Sequence, residues 1–162
     1  MHSDVLCVDS NRSSPTVTHV TPRGNHVTGV TSLGDDVFVV RWNSRQIEVY
    51  DAETFTLQRY ITVPGLGGES YGLAACPHNN CLYASDFSNA SVHRVELSGS
   101  NALMKWSVAG GPRGLSVNSE HNLLVVSWGE RKLQIFTTHG TQLQNIQLAA
   151  DIEGPVVLCS CR

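Results

Sequence analysis

The sequence predicts an all-β fold, and three observations support this prediction. Strand formers are abundant, because the 162 residues include 19 Val, 5 Ile and 11 Thr but only 9 Ala and 2 Lys. No segment has a sustained hydrophobic period of 3.6 residues. A glycine that leads into a short apolar segment recurs at spacings of 43, 42 and 40 residues, at Gly29, Gly72, Gly114 and Gly154. Because an internal repeat of this length determines the fold, we assign the elements within the repeat unit.

Each unit contains four strand-like segments in the same order, and the first segment follows the repeated glycine. The second and third segments keep a constant distance of ten residues between corresponding apolar positions: Val37 to Ile47, Leu82 to Val92, and Leu123 to Leu133. Alternation of apolar and polar residues is clearest in the third and fourth segments, and turn formers separate all four. Four strands in a unit of about 40 to 45 residues are typical of a β-propeller blade.

The repeat divides the chain into an N-terminal segment and four blade units. The predicted bounds are 29–71, 72–113 and 114–153 for three complete blades, and 154–162 for the first strand of a truncated fourth blade. The polar segment 1–28 contains a candidate strand at residues 16–22 that would pair with a blade edge, whereas residues 1–15 are expected to be loose.

Three complete blades predict an unfinished ring, because propellers close with about four to eight blades. The chain is then a fragment, or a half-ring that pairs with a second copy to make six blades. The fragment is the favoured interpretation. In either case, the open edges of the first and third blades predict that the isolated chain self-associates.

The third unit resembles an NHL repeat. The match lies in the glycines, the apolar positions and a basic residue of the segment "PRGLSVNSEHNLLVVSWGERKLQIFTTHG", at Pro112, Gly114, Leu115, Val117, Leu123, Val125, Lys132, Leu133, Ile135, Phe136 and Gly140. The middle unit keeps Gly72, Asp86 and Asn89 of the pattern, but the first unit has Arg41 where Asp is usual. The resemblance covers residues 29 to about 158 and implies a propeller fold.

The resemblance implies a protein-recognition module, as in the C-terminal propellers of tripartite-motif ubiquitin ligases, where a separate RING domain supplies the ligase chemistry. The alternative is part of a calcium-dependent lactonase or esterase propeller, in which acidic and Asn side chains hold the ion at the central channel. The predicted channel strands carry no carboxylate, and only Asn118 would contribute, so we expect no enzyme activity. RNA binding, which is known among NHL propellers, is the third alternative.

A candidate binding surface lies on one face of the predicted propeller. We call first face the side with the loops from second to third strands and the connections between blades; the remaining loops lie on the opposite face. Five residues after the second-strand anchor, each unit has an aromatic residue on the first face: Trp42, Phe87 and Trp128. Arginines accompany these rings, and we expect Arg41, Arg45 and Arg131 to be exposed, with Arg113 completing the surface.

Two interpretations of the recurring aromatic residues remain. Arginine beside exposed rings is typical of interface hot spots and of base-stacking surfaces. A position that repeats in every blade more often serves the architecture, so the favoured interpretation is that each ring wedges between adjacent blades as part of the core.

Composition and charge limit the partners and the location. The 11 Lys and Arg against 14 Asp and Glu give a net charge of −3, so we expect no bulk attraction to nucleic acid and no membrane binding. No apolar run exceeds four residues, against about 20 needed to cross a bilayer, and the first residues lack a signal-peptide profile. Five cysteines, an odd number, fit reduced thiols in the cytoplasm better than a disulfide framework.

The paired cysteines do not predict a metal site. Cys76 and Cys81 flank a turn that contains His78, which suggests a hairpin disulfide or half of a zinc site. Structural zinc needs four ligands, and the only other cysteine pair is the terminal Cys159 and Cys161. We therefore expect no metal and no cofactor.

Overall fold

A computed structural model describes residues 6–8, 17–19, 26–98 and 103–150, and all regular structure in these residues is β-strand. The two N-terminal strands are β1 (Leu6–Val8) and β2 (Val17–His19). The first blade contains β3 (Val27–Leu33), β4 (Asp36–Arg41), β5 (Gln46–Asp51) and β6 (Leu57–Thr62). The second contains β7 (Leu73–Cys76), β8 (Cys81–Asp86), β9 (Ser91–Glu96) and β10 (Leu103–Ser107). The third contains β11 (Pro112–Val117), β12 (Leu123–Ser127), β13 (Lys132–Phe136) and β14 (Gln142–Gln147).

Each blade is a four-stranded antiparallel sheet in which sequential strands are neighbours, so β3, β7 and β11 are the inner edges. The predicted all-β fold with three complete blades is confirmed. The predicted first strand of a fourth blade, residues 154–162, lies outside the described residues. In the described part of the chain, no helix is long and apolar enough to cross a membrane.

The N-terminal strands pair differently from the prediction. The candidate strand at residues 16–22 is present as Val17–His19, but it pairs with Leu6–Val8 in a separate two-stranded antiparallel sheet. The expected pairing with a blade edge is therefore wrong. The segment 1–15, expected to be loose, supplies a short apolar partner, "LCV", that suits a strand.

The core lies between neighbouring blades. Successive residues of a strand point to opposite faces of its sheet, so the second blade buries both faces. Leu82 packs in a cluster with Phe38 and Val49 of the first blade, and Tyr83 packs in a cluster with Leu123 of the third. All five side chains are buried, so stacking of the blades provides the apolar core.

The repeated glycines allow the inner strands to approach each other. A Cβ atom at Gly72 would collide with the carbonyl oxygen of Arg113 in the next blade, and one at Gly29 would lie 3.0 Å from the backbone nitrogen of Leu73. Any larger residue at these positions would force the blades apart at the centre of the array. The glycine spacing therefore reports where adjacent blades touch.

The outer faces of the first and third blades differ. On the first blade, Val39 and Tyr50 are 0% and 1% exposed, and Phe55 packs against them. This part of the first blade's outer face is therefore buried, whereas Leu57 and Tyr60 of β6 are 41% and 53% exposed. On the third blade, the outward-facing Leu124 and Ile135 are only partly buried, and all of β14 is exposed, including Leu143 at 54% and Ile146 at 37%.

Candidate functional site

Five side chains form a continuous row across the first face. The ring centroids of Trp42 and Tyr71 are 5.5 Å apart, and those of Tyr71 and Phe87 are also 5.5 Å apart, both edge-to-face. The guanidinium of Arg113 lies 4.5 Å from the centroid of Tyr71, 5.2 Å from that of Phe87 and 4.0 Å from that of Trp128. We call these five residues the aromatic–arginine row.

The row alternates between two positions of the repeat. Trp42, Phe87 and Trp128 directly follow the second strand of each blade, whereas Tyr71 and Arg113 directly precede the repeated glycines at positions 72 and 114. The row therefore crosses the junction between the first and second blades and the junction between the second and third.

Ser85 holds together the backbone segments that carry the row. Its hydroxyl accepts hydrogen bonds from the backbone N–H of Gly72, at 2.8 Å, and of Tyr71, at 3.2 Å. The same hydroxyl donates to the carbonyl oxygen of Arg113 at 3.4 Å. Because Ser85 is fully buried, these bonds compete little with water, and they fix Tyr71 beside Arg113.

A polar pair recurs where the second strand of each blade meets the third. The three pairs have different chemistry and join Arg41 to Glu48 (2.9 Å), Asp86 to His93 (3.1 Å), and Ser127 to Gln134. All six side chains are buried or nearly so. We call them the junction pairs.

Two junction pairs bind the connection that enters their blade. Asp86 accepts a hydrogen bond from the backbone N–H of Gly67 at 2.9 Å, and Gln134 donates to the carbonyl oxygen of Ala109 at 3.0 Å. These connections lead directly to Tyr71 and Arg113. These two junction pairs therefore hold the backbone segments that lead to Tyr71 and Arg113.

Asp86 and His93 form a buried hydrogen-bonded pair whose charge is set by its surroundings. Burial alone would raise the pKa of Asp86, but hydrogen bonds from Asn89, Gly67 and His93 lower it below its usual value. Burial lowers the pKa of His93, and the hydrogen bond with Asp86 opposes this only in part. Near neutral pH the carboxylate is charged and the imidazole is neutral, so the pair acts as a hydrogen bond.

The structure brings together four of the seven predicted site residues. Trp42, Phe87, Arg113 and Trp128 belong to the row. Arg45 and Arg131 are exposed, as expected, but they make no ring contact with the row; Arg131 donates instead to the carbonyl oxygen of Ala150 at 3.0 Å.

Arg41 is the predicted site residue whose expected exposure is wrong. It is only 8% exposed, because alternation along β4 turns its side chain to the same sheet face as Val39. There it lies within hydrogen-bonding distance of Glu48, which also accepts a hydrogen bond from the Tyr50 hydroxyl at 2.7 Å. Arg41 is therefore a structural residue of the first blade.

The recurring aromatic residues are not equivalent. Phe87 is partly buried against the connection into the third blade, where a Cβ atom at Gly111 would lie 2.7 Å from its ring. Trp128 is 40% exposed, so within the described residues this ring is not enclosed between two blades. Among the described residues, no later blade covers Trp128 as the third blade covers Phe87.

Tyr71 is the row member that sequence reasoning missed. Its position directly precedes the repeated glycine, but the corresponding residues of the other blades are Thr28 and Arg113. No aromatic pattern recurs there. The available signal was the equivalence of Tyr71 to Arg113, which places both residues at the first-face end of an inner strand.

The inner strands border an open groove of about 400 Å³. Tyr71 and Arg113 line its first-face end, and Ala75 and Val117 lie towards the other end of the same strands. Within the described part of the chain, the lining includes no Asp, Glu, His or Cys. The groove therefore offers backbone and hydroxyl groups, one arginine and one tyrosine.

The candidate metal-ligating residues lie on the opposite face and do not form a cluster. His78 and His121 stack in parallel, with ring centroids 3.9 Å apart, so their in-plane nitrogens do not converge on one point. Cys76 and Cys81 are cross-strand neighbours with buried free thiols. Among the residues that the structure describes, no three His, Cys, Asp or Glu side chains are grouped to hold a metal ion.

Comparisons with known proteins identify the fold. No family model matches the sequence, and no curated protein sequence matches it significantly. Virginiamycin B lyase from Staphylococcus aureus is similar in structure, with a TM-score of 0.72 and 16% identity over 91% of this chain and 50% of that one. The β-propeller domain of Cps50 (Swd1) from Myceliophteria thermophila has a TM-score of 0.69 and 12% identity over 96% of this chain and 55% of that one. The WD40 repeats of RRP9 have a TM-score of 0.69 and 14% identity over 82% of this chain and 42% of that one.

These solved structures include both a lyase and WD40 repeats, so their common feature is the fold. The chain spans about half the length of the structures that it matches. Three stacked four-stranded sheets and these likenesses lead to one conclusion: the chain has the β-propeller fold.

Proposed function

We propose that this chain is a protein-recognition module of the NHL type and that its first face binds the partner through the aromatic–arginine row. In a larger protein of the tripartite-motif kind, such a module would select the substrate for ubiquitin transfer. We propose a cytoplasmic location, where the free thiols of Cys76 and Cys81 would stay reduced.

One observation carries the proposal: Trp128 is 40% exposed while its ring stacks on Arg113. Tryptophan and arginine are enriched among the few residues that contribute most of the binding energy at protein interfaces. Contacts within the row hold these side chains in place before a partner arrives, which lowers the entropic cost of binding.

A binding function fits the groove better than catalysis. A calcium-dependent hydrolase needs oxygen ligands at the channel, and in the described chain the groove lining has no carboxylate. The junction pair of Asp86 and His93 is a less suitable acid–base site, because both side chains are at most 2% exposed and unreachable by substrate.

The test compares photo-crosslinking from the two faces. A benzophenone amino acid replaces Trp128 in one variant and Glu120, which is exposed on the opposite face, in the other. After irradiation in an extract of cells that express the protein, we expect specific protein products only from position 128. Mass spectrometry identifies them.

A second substitution provides the control for specificity. In the variant with the crosslinker at position 128, the additional substitution Arg113→Gln should reduce the yield of those products. The additional substitution Arg45→Gln should not. Equal products from positions 120 and 128, or products that vanish on ribonuclease treatment, would contradict protein recognition by the first face.

A further inference from the structure

We propose that Arg113 is the anchor for a carboxylate group carried by an extended peptide that enters the groove between the inner strands. This inference rests on the proposed function and names the class of ligand that the first face recognises.

Arg113 has unused hydrogen-bonding capacity. Its Nε atom is buried and has no hydrogen-bond partner, and within the described chain no carboxylate lies at ion-pair distance from its guanidinium. Four other arginines of the described residues donate a side-chain hydrogen bond to a carboxylate or a carbonyl oxygen: Arg41, Arg59, Arg94 and Arg131. Arg94 also has a buried Nε atom without a partner, but its Nη1 atom donates to Glu96 at 2.8 Å. The guanidinium of Arg113 has no such carboxylate, and a polar group of this kind without a partner requires an explanation.

The rings hold the guanidinium in place but cannot neutralise it. Trp128, Tyr71 and Phe87 surround Arg113 at 4.0 to 5.2 Å. Such cation–π contacts restrict the side chain but form no hydrogen bonds with its N–H groups, which lie in the plane of the guanidinium. One face of each of the three rings is already occupied by Arg113, which disfavours these rings as stacking platforms for nucleotide bases.

The single positive charge of the row suits a ligand group with one negative charge. Arg113 is the row's single cation, and the other exposed first-face arginines, Arg45 and Arg131, make no contact with the row. A guanidinium binds a carboxylate through two parallel hydrogen bonds. A doubly charged phosphate group commonly needs several cations, so the single arginine favours a carboxylate.

The groove fits an extended chain. β3, β7 and β11 are each the inner edge of a sheet, and all three border the groove. Edge strands present backbone N–H and C=O groups that no strand of the same sheet uses, and extended peptides commonly bind to them. Because Arg113 and Tyr71 line the same groove, a peptide along the inner strands would bring an acidic side chain to the guanidinium.

The experiment uses four defined probes and calorimetric titration of the full chain. Three are capped hexapeptides that differ at one central residue: glutamate, glutamine or phosphoserine, with Val, Thr and Ser elsewhere. The fourth is a hexanucleotide of uridine. We expect the glutamate peptide to bind about tenfold or more tightly than the glutamine peptide, as for a charge-assisted hydrogen bond.

Substitutions test whether Arg113 is the source of this preference. Arg113→Gln should reduce the ratio of the two affinities to about one, and Arg113→Lys should retain part of it, because lysine keeps the charge but loses the paired geometry. Arg45→Gln is the matched control and should leave the ratio unchanged. Thermal melting of each variant excludes loss of folding as the cause.

Four results would overturn the inference. The first is equal affinity for the glutamate and glutamine peptides, or no binding of either; the second is a preference for glutamate that survives Arg113→Gln. The third is tighter binding of the phosphoserine peptide than of the glutamate peptide, and the fourth is Arg113-dependent binding of the oligonucleotide alone. The proposed function fails separately. If the crosslinked partner persists while the peptides show no preference for glutamate, the first face binds proteins by another chemistry.

Discussion

The Nε2 atom of His93 lies 3.1 Å from the Oδ2 atom of Asp86, in a site where both side chains are at most 2% exposed. The same place in the third blade is occupied by Gln134 and Ser127, which are uncharged. The second blade therefore carries a titratable group at a position that another blade fills with an amide.

Stability should depend on pH through His93. Its pKa is lowered from 6.5 chiefly by burial, so below that pH the unfolded chain binds a proton that the native site resists. The free energy of unfolding should reach a plateau above about pH 7 and fall as the pH decreases through about 6.5. Urea unfolding between pH 5.5 and 7.5 measures this slope. His93→Gln keeps an N–H donor for Asp86 and should flatten the profile, and an unchanged slope would show that other groups cause it.

Arg41→Ala should destabilise the protein by about 3 kcal/mol, because it leaves Glu48 largely buried without its cation. Arg45→Ala, at an exposed position four residues later, should change the free energy of unfolding by less than about 0.5 kcal/mol. Chemical denaturation of both variants decides the point. Similar values for the two would contradict a structural role for Arg41.

Gly111→Ala should destabilise through two separate effects. Gly111 has φ of +71°, and an added Cβ would also lie 2.7 Å from the Phe87 ring. Gly65 has φ of +77° with open space around it, so Gly65→Ala measures the backbone effect alone, about 1 kcal/mol. The Gly111 variant should lose about 1 to 3 kcal/mol more, from overpacking. The comparison is a melting experiment, and equal losses would mean that Phe87 moves freely.

Trp128→Ala should have a small effect on stability, about 1 kcal/mol, because the side chain is 40% exposed and mainly loses its contact with Arg113. Trp106 is the matched control, since it packs between Tyr83 and Phe136, and its replacement by Ala should cost about 3 kcal/mol or more. Denaturant unfolding measures both. A loss of stability in Trp128→Ala as large as that in Trp106→Ala would show that the Trp128 side chain is part of the core.

The isolated chain should self-associate through the third blade. Leu143 and Ile146 are exposed on β14, whose outer edge has no strand partner in its sheet, and such edges favour pairing with another chain. Light scattering should show a mass that increases with concentration. Ile146→Lys should reduce it, while a monomer at all concentrations would contradict the prediction.

The sequence predicted the blades well because their signals are local. A glycine is needed wherever inner strands touch, as at Gly72, and strand alternation is visible in short segments. The burial of Arg41 was missed because it depends on pairing with Glu48 across two strands. Tyr71 was missed because its role depends on Arg113 in the next blade, and no residue type recurs at that position.

The junction pairs have a consequence for which substitutions the repeat tolerates. Both members of each pair belong to the same blade, and each blade has its own match: a cation for Glu48, an imidazole for Asp86, and an amide for Ser127. Copying one member of a pair into another blade would leave a buried polar or charged group without its partner, at a cost of several kcal/mol. The blades can therefore differ at these positions only when both partners change together.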